Sequence, residues 1–361
     1  MQLLPGPPGR FVTCGLDGKV CLAEVNMESG HPAGPGRAIG HHQSSAHGLA
    51  PRPGSDHEFL TAGLDGVVRH FDLRREAAGA AAAHHGAAVH REPRPGVGLN
   101  ALAFDPADTS GHRFATVGDR GSIGFHDLRH AFDAAGRGTL DRAFARADFP
   151  PLHATGLCFS RRGDALAVAY ADALHVFARD DLREGLRAGD AAPGPLPGGE
   201  APAVRGAPSV GFRPPGWANR RTYKGVAFFG GEDDFVAAGS DNGFVYLVDR
   251  ASGELVNALE ADREIANVVA PHPREFYTLA TSGIDCSVKV WGPTAAEGSA
   301  AFDAEAFARS DAVLMEAYAN EVDYLDDSSE EDGEEEEEAA WGLFASGSES
   351  DEASPSGPSD G

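Results

Sequence analysis

One pattern recurs six times along the chain: an apolar pair, small residues, a turn, and an alternating run that ends near an aromatic residue. The copies are Phe11-VTCGLDGKVCLAEV, Phe59-LTAGLDGVVRHFDLR, Phe114-ATVGDRGSIGFHDLR, Leu166-AVAYADALHVFARD, Phe235-VAAGSDNGFVYLVDR and Leu279-ATSGIDCSVKVW. Aligned on the small residue before the turn (Gly15, Gly63, Gly118, Ala169, Gly239 and Gly283), they are spaced 48, 55, 51, 70 and 44 residues apart. Short alternating runs repeated at about 40–45 residues or somewhat more are the signature of propeller blades, none of which can bury its hydrophobic faces alone. The repeat predicts an all-β propeller with six visible blades.

One unit shows why. Phe59–Gly63 is an apolar and small run suited to a buried strand, Leu64-Asp65-Gly66 supplies residues that tolerate left-handed backbone angles in a tight hairpin, and Val67–Phe71 forms the return strand. A further strand precedes the hairpin, as in Leu99–Pro106, His153–Ser160, Tyr223–Phe229 and Asn267–Pro271. Three or four strands per unit follow.

Charge divides the chain. The net charge is −25, but residues 301–361 hold 20 of the 55 acidic residues and one basic residue, Arg309, so residues 1–300 carry only about −6. The run Ser328-SEEDGEEEEE is expected to be disordered, because it has too little apolar surface to offset its conformational entropy. Without a basic surface, nucleic acid is not an expected partner. Nor is a membrane: no apolar stretch approaches the roughly 18–20 residues of a spanning helix, and MQLLPGPPGR lacks the charged and apolar regions of a secretory signal. A soluble, intracellular protein is the expectation. Cys14, Cys21, Cys158 and Cys286 form no CxxC pair and are read as small core hydrophobes.

The repeats resemble the WD-repeat family. Eight positions after the aligned small residue, where that family prefers Trp, stand Ala23, Phe71, His126, Phe177, Leu247 and Trp291. The next position, where it prefers Asp, holds Glu24, Asp72, Asp127, Ala178, Val248 and Gly292. The turn aspartate is better kept, and Asp17, Asp65, Asp241 and Asp285 are assigned structural turn roles. His47 and His153, which open strand segments, resemble the histidines that bond such aspartates.

Longer stretches, Gly40-HHQSSAH, Phe59-LTAGLDGVVRHFDLR, Thr222-YKGVAFFGGEDDFVAAGSDNGFVYLVDRASGEL and Pro271-HPREFYTLATSGIDCSVKVWGPTA, resemble successive parts of the cullin-4-associated WD-repeat factors, nearest to the subgroup of associated factor 8. The resemblance covers about residues 11 to 296 and implies seven blades. The family's N-terminal blade has no counterpart here, and the first strand of the next blade is replaced by Leu-Pro-Gly-Pro-Pro. A ring lacking one blade leaves two unpaired sheet edges. The expectation is an incomplete version of a longer protein, or closure by another route. The expected organisation is a propeller over 1–292, a helical extension over 293–327 and a disordered acidic tail over 328–361.

Phe71-Asp72-Leu73-Arg74 and His126-Asp127-Leu128-Arg129 occupy the same place in consecutive repeats. In the family resembled, Asp-x-Arg there implies docking onto the damage-binding protein 1 adaptor of the cullin-4 ubiquitin ligase. The planar arginine fork suits such an interface. The expected docking residues are therefore Asp72, Arg74, Asp127 and Arg129, with Val248-Asp249-Arg250 out of register. The alternative is that the aspartates only accept turn amides. The implied function is a non-catalytic substrate receptor, acting in nucleus and cytoplasm on an unidentified protein target. The rival is a scaffold or chaperone of basic proteins that uses the propeller and acidic tail.

Enzyme chemistry finds no motif: a Gly-x-Ser-x-Gly elbow, a phosphate loop and a dinucleotide fingerprint are all missing from the sequence. The pairs His41-His42 and His84-His85 lack metal-ligand spacing, and Gly15-LDG and Gly63-LDG lack the later ligands of a calcium loop, so neither metal nor cofactor is expected. The Ala/Gly/Pro-rich segments Glu76–Pro95, Ala131–Pro150 and Asp180–Pro215 read as flexible linkers. Leu314, Tyr318, Val322 and Leu325 predict an amphipathic helix within Phe302–Leu325. Ser328, Ser329, Ser346 and Ser348 precede acidic residues as acidophilic kinases favour.

Overall fold

In a computed structural model of the chain each repeat folds as an antiparallel meander, because the turns between its runs are too short for any other connection. The structure describes residues 1–76, 86–92, 95–130, 140–146, 153–182, 203–206, 210–214, 216–293, 302–303 and 306–307. The first sheet holds β1 (Gln2–Leu3), β2 (Arg10–Cys14), β3 (Lys19–Glu24) and β4 (Arg37–His41). The second holds β5 (Ala46–Pro51), β6 (Glu58–Gly63), β7 (Val67–Asp72) and β8 (Ala87–Arg91), with the short helix α1 (Leu73–Glu76) after β7. The third holds β9 (Leu99–Phe104), β10 (Arg113–Gly118), β11 (Ile123–Asp127) and β12 (Leu140–Arg146). The fourth combines β13 (Ala154–Phe159), β14 (Ala165–Tyr170) and β15 (Leu174–Ala178). Two later strands complete these sheets: β16 (Ala203–Gly206) joins β12 in parallel, and β17 (Val210–Phe212) pairs with β15. The fifth holds β18 (Val226–Phe229), β19 (Phe235–Gly239), β20 (Phe244–Asp249) and β21 (Leu255–Glu260), and the sixth β22 (Ala266–Pro271), β23 (Leu279–Gly283) and β24 (Val288–Trp291). The inner strands β5, β9, β13, β18 and β22 pack on one another in order, and β1 and β2 pack on β5, giving a six-bladed β-propeller arrangement.

Strand alternation builds the core. Phe59 and Leu60 are neighbours in β6, yet Phe59 packs with Val12, Ile39 and Phe71 toward the first blade while Leu60 packs with Leu102 and Phe114 toward the third. The Phe59 and Phe71 rings stack at 4.9 Å. Tyr170, Phe144 and Phe177 fill the next interface, and Val245, Ala266 and Leu279 the one between the last two blades. The aligned small residues also have a physical reason: a Cβ on Gly118 would lie 2.1 Å from Gly98 O, and one on Gly239 2.1 Å from Ala266 O.

Three expectations are corrected, and a fourth falls outside the described residues. The first blade has an inner strand after all, because Gln2 and Leu3 pair with Val12 and Phe11. The presumed linkers contribute β8, β12, β16 and β17. These outer strands hold to their sheets through backbone pairing and need little apolar alternation. The cysteines are not fully buried: Cys14 is half-buried against the core between the first two blades, Cys21 and Cys158 are half-buried, and Cys286 is exposed. The expected helix and acidic tail, with their serines, fall outside the described residues except Phe302, Asp303, Ala306 and Phe307. The outward face of the sixth sheet exposes Val268, Val288 and Val290, and Leu3 is exposed on the first. Among the described residues no helix is long and apolar enough to cross a membrane.

Compact unit Met1–Glu305 contains every strand found among the described residues. Within it Asp241 is the most deeply built of the turn aspartates. Its carboxylate accepts the N–H groups of Arg220 at 2.6 Å and Arg221 at 3.0 Å and pairs with Lys224 Nζ at 2.5 Å. Lys224 is fully buried, and burial pulls its amine down from the ordinary lysine range while Asp241 opposes that shift. Asp241→Ala leaves that charge buried and uncompensated, so it is expected to lower the unfolding free energy by about 3–5 kcal/mol. Asp285→Ala, at an exposed turn, is expected to change it little. Urea denaturation of both variants checks the contrast.

Candidate functional site

Asp72 and Asp127 end the return strands β7 and β11, so the residue two positions on leaves each blade at the same edge. At both places the Asp-x-Arg closes on itself in the same way. Asp72 Oδ1 accepts Arg74 N at 3.0 Å and Nε at 2.9 Å, and Oδ2 accepts Arg74 Nη2 at 2.9 Å. Asp127 Oδ1 accepts Arg129 N at 3.0 Å and Nε at 2.9 Å, and Oδ2 accepts Arg129 Nη2. These charge-assisted forks hold both carboxyls below the ordinary aspartate range, the arginine side-chain bond being the largest cause in each. Each arginine side chain stays more than half exposed, 60% for Arg74 and 54% for Arg129.

A polar chain ties the two motifs together. Arg74 Nη2 also reaches Glu58 Oε1 at 3.1 Å, and Glu58 Oε2 takes Arg52 Nη1 at 2.5 Å and His70 Nε2 at 3.1 Å. Arg52 crosses to the third blade, donating to Gly111 O at 3.0 Å and meeting His112 Nε2 at 3.0 Å. His112 O in turn accepts Leu128 N, between Asp127 and Arg129. The out-of-register Asp249-Arg250 does something else: Asp249 caps its own turn at Ala251 and Ser252, and Arg250 braces the fourth blade at Asp164.

The turn aspartates divide by depth. Asp17 and Asp285 bond locally to Lys19 and Ser287. Asp65 accepts His42 Nδ1 at 2.9 Å, and the other face of that imidazole meets Thr61 Oγ1 at 2.8 Å. His42, not His47, is therefore the histidine that bonds the turn aspartate. His47 stacks on Tyr223 instead, with ring centroids 3.8 Å apart, and His153 Nε2 lies 3.0 Å from Asn219 O. Two aspartates were not singled out by the repeat. Asp119 stands one residue earlier in its turn than the others and accepts Gly98 N, and buried Asp262 accepts Glu264, Ile265 and Asp285 amides. Among the described residues no group of three or more His, Cys, Asp or Glu is placed to hold a metal ion.

His126 takes the Trp position. Its Nε2 meets Thr116 Oγ1 at 2.9 Å, as Trp291 Nε1 donates to Thr281 Oγ1 at 2.8 Å in the sixth blade. It also stacks on Phe114 at 4.7 Å.

The fold and these repeated contacts define a β-propeller of degenerate repeats, and short stretches of it are similar to WD-repeat proteins. No family profile matches the chain. It is 39% identical over 83 residues to WD and tetratricopeptide repeats protein 1 of Homo sapiens, covering 23% of this chain and 12% of that protein. It is 38% identical over 76 residues to WD repeat protein iqw1 of Schizosaccharomyces pombe (21% and 9%) and 42% identical over 78 residues to DDB1- and CUL4-associated factor 6 of Homo sapiens (22% and 9%). The chain thus matches about a tenth of the length of these relatives. Over these stretches it is similar to WD-repeat proteins.

Burial holds the His126 imidazole well below its ordinary value of 6.5, with His90 adding to the effect. Because the folded value is the lower one, protonation favours the unfolded chain. Stability is full above pH about 6.5 and is expected to fall by up to about 1.4 kcal/mol per pH unit as pH drops toward the folded value. Asp72 and Asp127, whose folded values are also lowered, keep their forks charged through this range, so acid loss starts at the buried imidazoles, His47 and His70 being held low by burial as His126 is. His126→Trp supplies a non-titrating donor to Thr116. Unfolding free energies from pH 7.5 to 5 should show a shallower slope in the variant, with the remainder due to His47 and His70, which burial also holds low, even if the larger ring lowers stability throughout.

Proposed function

We propose that the chain is a substrate receptor of a cullin-4 RING ubiquitin ligase, docking on the damage-binding protein 1 adaptor through Arg74 and Arg129. The observation that carries this reading is the identical forked geometry of two Asp-x-Arg motifs in adjacent blades. An arginine already held by its aspartate loses little side-chain freedom on docking, and its exposed guanidinium edge is presented in a fixed direction. Similarity to a protein named DDB1- and CUL4-associated factor 6 supports the reading, as do the residues resembling the associated factor 8 subgroup. The chain carries no nucleophile in this scheme; it holds a target near the transfer machinery, and the gain in rate is one of proximity. It would act in nucleus and cytoplasm.

The excess of acidic over basic residues in 301–361 favours one other reading, a scaffold that recruits basic proteins through electrostatic attraction. The two readings separate on the arginines. Affinity capture with wild-type chain is expected to recover the damage-binding adaptor and cullin-4. Arg74→Ala and Arg129→Ala should each lower adaptor affinity about tenfold or more, and together abolish capture, with the thermal transition unchanged. Recovery of neither protein by wild type overturns the receptor reading, and capture of basic proteins that survives the double substitution establishes the scaffold.

A further inference from the structure

Arg74 and Arg129 belong to different blades, and a brace between the loops behind them fixes one relative to the other. Arg52, in the β5–β6 loop, spends its guanidinium on both blades. Its Nη1 holds Glu58 Oε2 at 2.5 Å in the second blade, while Nε donates to Gly111 O at 3.0 Å and Nη2 to Ser110 O at 3.4 Å and His112 Nε2 at 3.0 Å in the third. A guanidinium only donates, so His112 Nε2 is the acceptor, and the ring proton sits on Nδ1, which donates to Ser110 Oγ at 2.9 Å. Ser110 Oγ donates in turn to Asp108 Oδ1 at 2.5 Å, and Asp108 Oδ2 accepts the His112 and Arg113 amides at 2.8 Å. The loop that Arg52 grips is therefore itself rigid. A Cβ on Gly111 would lie 2.8 Å from Pro53 O, so the two loops also meet through their backbones.

The brace ends on both motifs. Glu58 Oε1 accepts Arg74 Nη2 at 3.1 Å, the same nitrogen that Asp72 Oδ2 holds at 2.9 Å, so the outer end of Arg74 is fixed from two sides. In the third blade His112 O accepts Leu128 N at 2.9 Å, one residue before Arg129, and Arg113 pairs in register with Asp127. The repeat itself does not require an acid at Glu58. It stands opposite Asp72 in the sheet, and the residues opposite Glu24, Asp127, Ala178 and Val248 of other blades are Arg10, Arg113, Ala165 and Val236.

We propose that Arg52 and Glu58 are positioning residues that make Arg74 and Arg129 a single docking device, with the spacing of the two guanidinium groups set before a partner arrives. That role rests on the receptor reading of the two arginines. The side chains of Arg52 and Glu58 are only 20% and 12% exposed, against 60% for Arg74 and 54% for Arg129, so the brace acts through the docking arginines and not by its own contact. A preset spacing removes ordering that association would otherwise have to impose.

The test is a set of double-mutant cycles on affinity for the purified damage-binding adaptor, read by biolayer interferometry on the full chain. Glu58→Gln keeps the shape and removes the charge, and Arg52→Lys keeps the charge and loses the fork. Each alone is expected to weaken binding about fivefold or more, and each cost should fall within about twofold in the Arg74→Ala and Arg129→Ala backgrounds, because a spacing has no meaning once one of its two groups is gone. A merely structural loss costs the same factor in every background. Arg161→Lys, which cuts the comparable brace from the fourth blade to Asp233 and Gly231 O in the fifth, should leave affinity unchanged. Costs that persist undiminished in both alanine backgrounds overturn the proposal, as does full affinity in E58Q or R52K, or an equal loss in R161K. Absence of adaptor binding by the wild-type chain overturns the receptor reading and this role with it, an outcome distinct from binding without coupling.

Discussion

Most of this molecule depends on the requirement that strands lying between two neighbouring blades bury both of their faces. A sheet that packs on neighbours at both sides has no solvated face for polar residues, so consecutive side chains such as Phe59 and Leu60 must both be apolar and enter different interfaces. The consequence is a body whose sides are spent on packing. Polar chemistry is pushed to the two ends of the blades, where strands stop and turns begin.

The ends are built from aspartates, but different ones. At the hairpin end, Asp65 and Asp241 lie low in the blade and bond groups from the preceding loop: His42 in one case, Lys224 and two main-chain amides in the other. These bonds stitch the loop entering one strand to the turn between two others, which is how a meander of short strands acquires a fixed register. At the other end, Asp72 and Asp127 spend their oxygens on the arginines that follow them. The first kind of aspartate points inward and holds the blade. The second orients a cation toward solvent.

Reading the sequence located the six blades, the two Asp-x-Arg motifs and four turn aspartates, because all of these recur at a fixed distance from a small residue that the fold needs small. Gly118 and Gly239 are small because a neighbouring backbone carbonyl lies where a side chain would be. What escaped was whatever breaks that spacing or leaves no side-chain trace. The outer strands β8, β12 and β17 escaped because backbone pairing is enough to hold an edge. His42 was passed over for His47 because the loop before β5 offers several polar residues and only the folded path selects one. Asp119 was missed for a shift of a single residue. The brace around Arg52 could not be read at all, since its acceptors Gly111 and His112 lie 59 and 60 residues further along the chain.

The Trp position shows what the repeat conserves beneath its degeneracy. Trp291 and His126 have little in common as side chains, yet each places a ring nitrogen against a threonine hydroxyl of the adjacent strand, ten residues earlier. In the second blade Phe71 holds the same position and has no polar atom, and there Thr61 Oγ1 meets Nε2 of His42 from the preceding loop. The requirement is therefore a satisfied buried hydroxyl and a flat ring, not a tryptophan. A blade can meet it from its own return strand or from the loop before it, and the choice has a chemical consequence: a buried histidine that fills the place couples folding to acid, whereas indole does not. Degeneracy of the repeat thus conserves the packing and exposes individual blades to pH, and it does so in the blade that carries one of the two docking arginines.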